Sequence, residues 1–330
     1  MPRVSVLVLL LLLAVSGLAL AQEPMEGDAP VVFDPVVAPL VQPDVDDFIA
    51  DPLPDGVEPA ALAVSAYTEV TSALSVVSVA PRYRVNEWLQ ARVRVPWVLQ
   101  RKFNYFGHEA TGSGLGDVSV DLAYRRALDA GRQRLEFMAS VKLPTGDDEN
   151  EDDDGYAVPL GTGTVDLVAR GMYARHAQDY GLLASAMFRR NSANDVTVEY
   201  PSTVPGEMVR STTSTTNANQ FVGSVFGRYR ADAKLWLHLG ASITVTGQGK
   251  SETETVDPAS GTSTSAFDLE QGSTLVDLFP GVSYQLGLFQ PYVGARIPVS
   301  TSFDNGLLTE DRDTAIVFQV SYNPTRFLAD

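Results

Sequence analysis

From Lys234 to Thr246 the side chains change character at every step. Leu235, Leu237, Leu239, Ala241, Ile243 and Val245 fall on one face, and Lys234, Trp236, His238, Ser242, Thr244 and Thr246 on the other. A period of two belongs to a strand, whose successive side chains point to opposite faces. The split recurs in Gln90 to Lys102, where Val93, Val95, Trp97 and Leu99 oppose Arg92, Arg94 and Gln100, and in Arg132 to Leu143, where Leu135, Phe137, Ala139 and Val141 oppose Arg134, Glu136, Ser140 and Lys142. Between them Val118, Val120, Leu122 and Tyr124 oppose Asp117, Ser119, Asp121 and Arg125. A chain patterned this way from Ala61 onward folds into sheets with one oily and one wet face, and the oily face needs a cover.

Two covers exist, a protein core or a lipid bilayer. Six tyrosines argue for lipid: Tyr83, Tyr124, Tyr173, Tyr229, Tyr284 and Tyr322 each stand near the end of a strand in its apolar phase. Five of them precede short turns, around Val85-Asn86, Asp129-Ala130-Gly131, Gln178-Asp179, Ala231-Asp232 and Leu286-Gly287. Amphipathic rings along one rim form the aromatic girdle of outer-membrane barrels, so these tyrosines mark the periplasmic rim. The opposite connections, Asn104 to Ser113, Gly146 to Pro159, Asn191 to Asn219, Gly247 to Gly272 and Asp304 to Asp313, are long and polar. Six tyrosine strands, each with an ascending partner, give an all-β, antiparallel transmembrane β-barrel of about 12 strands over residues 61–330. The first ascending strand, Ala61 to Val70, has the poorest turn signal, Thr71-Ser72. The competing reading is a secreted β-sandwich, which requires neither a tyrosine rim nor loops segregated by length.

The ends agree with export. Arg3, the apolar run Val4 to Val15 and the small-residue triplet Ala19-Leu20-Ala21 read as a signal peptide over residues 1–21. Residues 22–60 are rich in Pro and acids, with no Lys or Arg between Arg3 and Arg82, and read as a disordered periplasmic extension. No later stretch reaches the roughly 18 uninterrupted apolar residues of a spanning helix. The absence of cysteine removes disulfides and thiolate metal sites. A net charge of -17 excludes nucleic acid, whose phosphates need a cationic surface. The expected partners are outer-membrane lipid, the barrel-assembly machinery and a small-molecule solute, in the bacterial outer membrane. Such barrels usually finish on an aromatic residue, whereas this chain runs past Tyr322 to Asp330, leaving Phe327 as the substitute.

Four segments stand in a telling order: Val93-Arg94-Val95-Pro96-Trp97, Gly114-Leu115-Gly116-Asp117-Val118, Val141-Lys142-Leu143-Pro144-Thr145-Gly146-Asp147 and Leu160-Gly161-Thr162-Gly163. Together they resemble the outer-membrane barrels of the meta-pathway phenol-degradation family, over roughly Ala61 to Tyr322. That resemblance implies a barrel associated with uptake of hydrophobic or aromatic compounds. Read from the residues alone, the motifs are structural. Glycines in Gly112 to Gly116 and Gly161 to Gly163 let strands leave loops and bend, and Pro96, Pro144 and Pro298 lie toward outer strand ends, where a lost ladder bond costs least.

Charge at the bilayer midplane costs about 2–4 kcal/mol on the lipid side for Arg or Lys, so the charged phase belongs in the lumen. The candidate solute path is Arg92, Arg94, Asp117, Asp121, Arg125, Arg134, Glu136, Lys142, Asp166, Arg170, Lys234 and Arg296, with Asp277 in the same phase. Two roles are open to it: a paired network that stiffens the interior, or a cationic path favouring anions such as aromatic carboxylates. Asp147 to Asp154 carries seven carboxylates without the spacing of a defined calcium loop and reads as a solvated loop, with weak divalent binding as the alternative. His108, His176 and His238 are far apart in sequence, and no Gly-x-Ser-x-Gly elbow occurs. The expected function is passive uptake of small aromatic or anionic compounds, without enzyme activity, metal or cofactor; the alternative is a non-conducting structural or surface-interaction barrel.

Overall fold

The computed structural model describes residues 61–322 except 106–107, 130–131, 148–149, 157, 178, 205–206, 270–271 and 304–312. The signal peptide, the acidic extension and Phe327 lie outside the described residues, as does most of the last outer connection. Seventeen strands follow in chain order: β1 (Leu62–Val70), β2 (Leu74–Arg84), β3 (Leu89–Tyr105), β4 (His108–Leu115), β5 (Ser119–Leu128), β6 (Gln133–Lys142), β7 (Asp166–His176), β8 (Tyr180–Arg190), β9 (Ala193–Pro201), β10 (Met208–Thr216), β11 (Gln220–Arg230), β12 (Leu235–Thr246), β13 (Gly249–Asp257), β14 (Gly261–Leu269), β15 (Ser273–Tyr284), β16 (Phe289–Phe303) and β17 (Ala315–Tyr322).

Twelve of them form one closed antiparallel barrel, in the order β1, β2, β3, β5, β6, β7, β8, β11, β12, β15, β16, β17. Closure runs through β1 and β17, with Val64 opposite Tyr322 and Val70 opposite Ile316. A closed ladder leaves no edge of unpaired N–H and C=O groups, which hydrocarbon would not solvate.

The alternation decides the faces. On β12, Trp236, His238, Ser242 and Thr244 are buried, whereas Leu237, Leu239, Ile243 and Val245 are exposed. Leu239 is 61 % exposed and Phe137 on β6 59 %. Apolar surface left bare on every strand is far more than a water-soluble monomer tolerates, and lipid is what covers it.

One end of the barrel carries the short turns. Tyr83, Tyr124, Tyr229 and Tyr284 are exposed there in the outward phase, and Tyr173 and Tyr322 are half-buried in the same phase. Tyr180 adds a seventh outward ring, paired with Tyr229. The turns use residues suited to them. Asn86 Oδ1 accepts from the backbone N–H groups of Trp88 (2.9 Å) and Leu89 (2.8 Å), and Gly287 takes φ 59°.

At the other end the structure departs from the sequence reading in three ways. The first outer connection is a tight turn, because the Thr71 hydroxyl accepts the Leu74 N–H at 2.9 Å. Residues read as the Asn104 to Ser113 loop extend β3 and form β4, a hairpin beyond the barrel wall. The long connections Asn191 to Asn219 and Gly247 to Gly272 fold into two hairpins that pair through β10 and β13 into a separate four-stranded sheet. Hydroxyl pairs hold it, among them Thr197 with Thr212 and Thr213 with Thr253, both 3.0 Å apart. Strands made of Ser and Thr carry little hydrophobic alternation, so the pattern did not declare them. Pro96 also differs from expectation. It lies inside β3, where pairing with β5 ends at Arg94 and pairing with β4 begins at Trp97, so its missing N–H falls at a change of partner.

Leu239→Arg places a cation near the middle of an outward strand and is expected to cost about 2–4 kcal/mol in folding into phospholipid vesicles. Reversible denaturant titration measures it, and a cost within about 0.5 kcal/mol, the usual range for surface changes, would mean that the side chain meets water.

Candidate functional site

The inward phase carries both charged and apolar side chains. The charged pairs follow from register. Arg92 stands opposite Asp121, Arg125 opposite Glu136 and Lys142 opposite Asp166 across neighbouring strands, so each inward cation meets an inward acid. Arg92 Nε donates to Asp121 Oδ2 at 2.6 Å, and Arg125 Nε donates to Glu136. Arg170 reaches Glu136 at 3.4 Å, and Asp166 takes both Lys142 (2.7 Å) and Arg189 (2.5 Å). Asp166 is wholly buried. Buried pairs add little net stability, but removing one partner strands a charge at about 3–5 kcal/mol.

Arg94 and Asp277 are buried in the same phase, and Arg134 and Arg296 are half-buried there. Lys234 does not join them. It is exposed in the turn preceding β12, one residue before the strand begins at Leu235. Sequence reasoning missed Glu69, Arg189 and Arg228. Glu69 pairs with Arg296 at 2.8 Å and accepts from the Tyr67 hydroxyl at 2.6 Å. Arg189 was masked by its neighbour Arg190, since two adjacent arginines do not reveal which one points inward.

Apolar and aromatic inward side chains stand on β7, β8, β11, β12, β15 and β16, interleaved with buried Arg170, Arg189, Arg228, His238 and Asp277. Met172, Ala174 and Leu183 cluster with Phe226, whose ring lies 5.4 Å from that of Phe279. Phe226 rests flat on Gly240, and Tyr292 lies across Gly281 and Gly294, where a Cβ would collide with either ring. Glycine here seats aromatic rings against the wall and keeps them out of the bore. Below them Arg228 stacks over Trp236 at 4.3 Å and lies 3.1 Å from His176 Nδ1. His238 Nε2 and the Ser283 hydroxyl are 2.8 Å apart. Gln290 also donates to that hydroxyl, at 3.3 Å, and Ser283 is 1 % exposed, walled off from any solute.

At the outer mouth the motif segments converge on one carboxylate. Asp117 accepts from Lys142 Nζ (3.0 Å), the Gly146 N–H (3.0 Å), and the Thr162 N–H (2.9 Å) and hydroxyl (3.0 Å). Thr145 Oγ1 accepts from Val118 N–H at 2.8 Å and donates to Gly116 O at 3.2 Å. A Cβ on Gly146 would stand 2.8 Å from Gly161 Cα, so both glycines are needed for the backbones to cross. The knot draws residues 143–165 onto β3 and β4, burying Val158 and Leu160, and Arg101 donates to Pro159 O. The motifs are therefore structural, as the sequence reading has it, but they fasten a loop at the mouth rather than bend strands.

Past the knot the acidic loop is pinned in part. Asp152 Oδ1 accepts from the backbone N–H groups of Asp154 (3.0 Å) and Tyr156 (2.8 Å), and His108 Nε2 lies 3.0 Å from Asp152 Oδ2. The bond to His108 holds the Asp152 carboxyl below the usual range, helped by the backbone bond from Tyr156.

A closed antiparallel barrel with a lipid belt and short turns at one rim defines a transmembrane β-barrel of the outer-membrane type. In fold the chain is similar to the COG4313 outer membrane channel from Pseudomonas putida F1, with TM-score 0.55 and 12% identity over 83% of this chain and 100% of that one. The TodX monoaromatic hydrocarbon channel aligns at TM-score 0.44 with 10% identity, over 79% of this chain and 88% of that one, and the NanC porin at 0.40 with 11%, over 79% and 99%. No family model and no curated protein sequence matches the chain. The first likeness agrees with the outer-membrane barrel that the motif resemblance implied.

Asp117→Asn removes the charge opposite Lys142 and is expected to loosen residues 143–165. Limited proteolysis of the folded barrel should cut that segment faster than in the parent while the barrel stays intact; unchanged cleavage would show that the knot does not hold the loop.

Proposed function

We propose that this barrel passes small amphiphilic anions, aromatic carboxylates foremost, by passive diffusion, and that it is not an enzyme. The supporting observation is a lumen in which cations and aromatic rings share the inward phase. Arg92, Arg94, Arg170, Arg189 and Arg228 are buried cations in a chain whose net charge is -17, and Phe226, Phe279 and Tyr292 stand among them on β11, β15 and β16. A carboxylate would track the arginines as its ring slides over the aromatic wall, since fixed charge around a pore sets which ion enters. The six rim tyrosines and Tyr180 would anchor the barrel at the periplasmic interface. The Ser283–His238 pair supports a packing role, because a hydroxyl that no substrate reaches performs no acyl transfer.

A second reading has an observation in its favour. The charged side chains are so fully paired and buried that the interior could be plugged, which would leave a structural or surface-interaction barrel.

Reversal potentials across planar bilayers in a tenfold KCl gradient are expected to show anion preference, and Arg94→Gln to reduce it. Liposomes should swell faster in benzoate than in a neutral solute of equal size. Cation preference would overturn the anionic path, and the absence of both conductance and swelling would favour the plugged barrel.

A further inference from the structure

The proposed solute path leaves unexplained why the tips of two outer loops meet through an imidazole and two carboxylates. His108 opens β4 at the end of the β3–β4 hairpin, and Asp152 and Asp154 belong to the connection between β6 and β7. His108 Nε2 lies 3.0 Å from Asp152 Oδ2 and 3.6 Å from Asp154 Oδ2, and one donor atom from each residue falls within 4.8 Å of the other two. A tetrahedral zinc ion with ligands at about 2.0–2.2 Å separates its donors by about 3.3 Å. The imidazole nitrogen already stands near that spacing from each carboxylate, before any ion draws them in.

Their surroundings fix two of the three. The Asp152 carboxylate is held through its other oxygen by two backbone N–H groups, which leaves Oδ2 turned toward His108. The His108 ring stacks on Tyr156 with centroids 4.2 Å apart and 25° between planes. Partners of this kind orient first ligands in metal sites. Asp154 is mostly exposed and free to swing. Among the described residues these are the only three such groups gathered closely enough to hold an ion.

We propose that His108, Asp152 and Asp154 form a binding site for a borderline divalent cation of the zinc, nickel or copper type, with water in the remaining positions. The imidazole sets this class. Nitrogen is a good donor for these ions, whereas calcium and magnesium take oxygen ligands and would have no use for it. A cluster of carboxylates alone would be a solvated patch; here a nitrogen donor from a different loop completes it. The bound ion joins the β3–β4 hairpin to the β6–β7 connection, a second fastening beyond the Asp117 knot, on the end of the barrel that faces the cell exterior.

The test uses untagged mature barrel in detergent, with Zn2+ titrated against a competing chelator dye. One saturable site is expected. His108→Ala should weaken it by at least the roughly 10–100-fold that losing even an outer partner costs, and Asp154→Asn should weaken it as well. Asp153→Asn, with the same charge change one residue away, should leave affinity within twofold, and calcium at equal concentration should not displace zinc. Heat-modified mobility on gels confirms that each variant is folded. No saturable binding, equal losses in Asp153→Asn and Asp154→Asn with His108→Ala unaffected, or displacement by calcium would each overturn the site.

Discussion

The structure depends on hydrocarbon wetting the outward phase of every barrel strand. Leu237, Leu239, Ile243 and Val245 on β12, and their counterparts around the ring, keep large exposed apolar surface. In water that surface would cost roughly 25 cal/mol for each Å2 left bare. In lipid it costs nothing, and the burden moves to the backbone, whose polar groups no longer have water. Closing β1 on β17 satisfies them all at once. Sheet closure and lipid exposure are two sides of one constraint.

The interior inverts the usual logic of a core. With the apolar phase committed to lipid, the inward phase is polar by default, and twelve strands bring it close together. Register then does the electrostatic work, setting Arg92 against Asp121 and Lys142 against Asp166 without any side chain reaching far. Among the uncharged inward residues are aromatic rings, and Gly240 and Gly294 leave room for those of Phe226 and Tyr292 against the wall.

Much of this was legible in the sequence because alternation is a one-dimensional record of two-sided burial. The twelve-stranded antiparallel barrel is the one the pattern assigns, and along its strands Arg92, Asp121, Glu136 and Arg170 are buried while Leu122, Tyr124 and Phe137 are exposed. The failures sit where alternation is weak or ambiguous. Lys234 continues the β12 pattern by one residue into a turn. Glu69 lies one residue from the end of a strand whose outward phase holds Thr68 and whose inward phase holds Ala63, and Arg189 has a twin beside it. The outer sheet is built of Ser and Thr, whose hydroxyls pair across strands without leaving a hydrophobic signature. Contacts between distant loops, such as the Asp117 knot and the meeting of His108 with Asp152, belong to topology and have no local signal.

The chain has three tryptophans, and they probe the central claim directly. Trp97 is exposed on the outward phase of β3, and Trp236 is buried on the inward phase of β12 beneath Arg228. In single-tryptophan variants folded into vesicles with brominated acyl chains, Trp97 fluorescence should be strongly quenched and Trp236 fluorescence should survive. Equal emission from Trp97 with and without bromine would show that the oily face does not touch lipid, and the barrel account would fall with it.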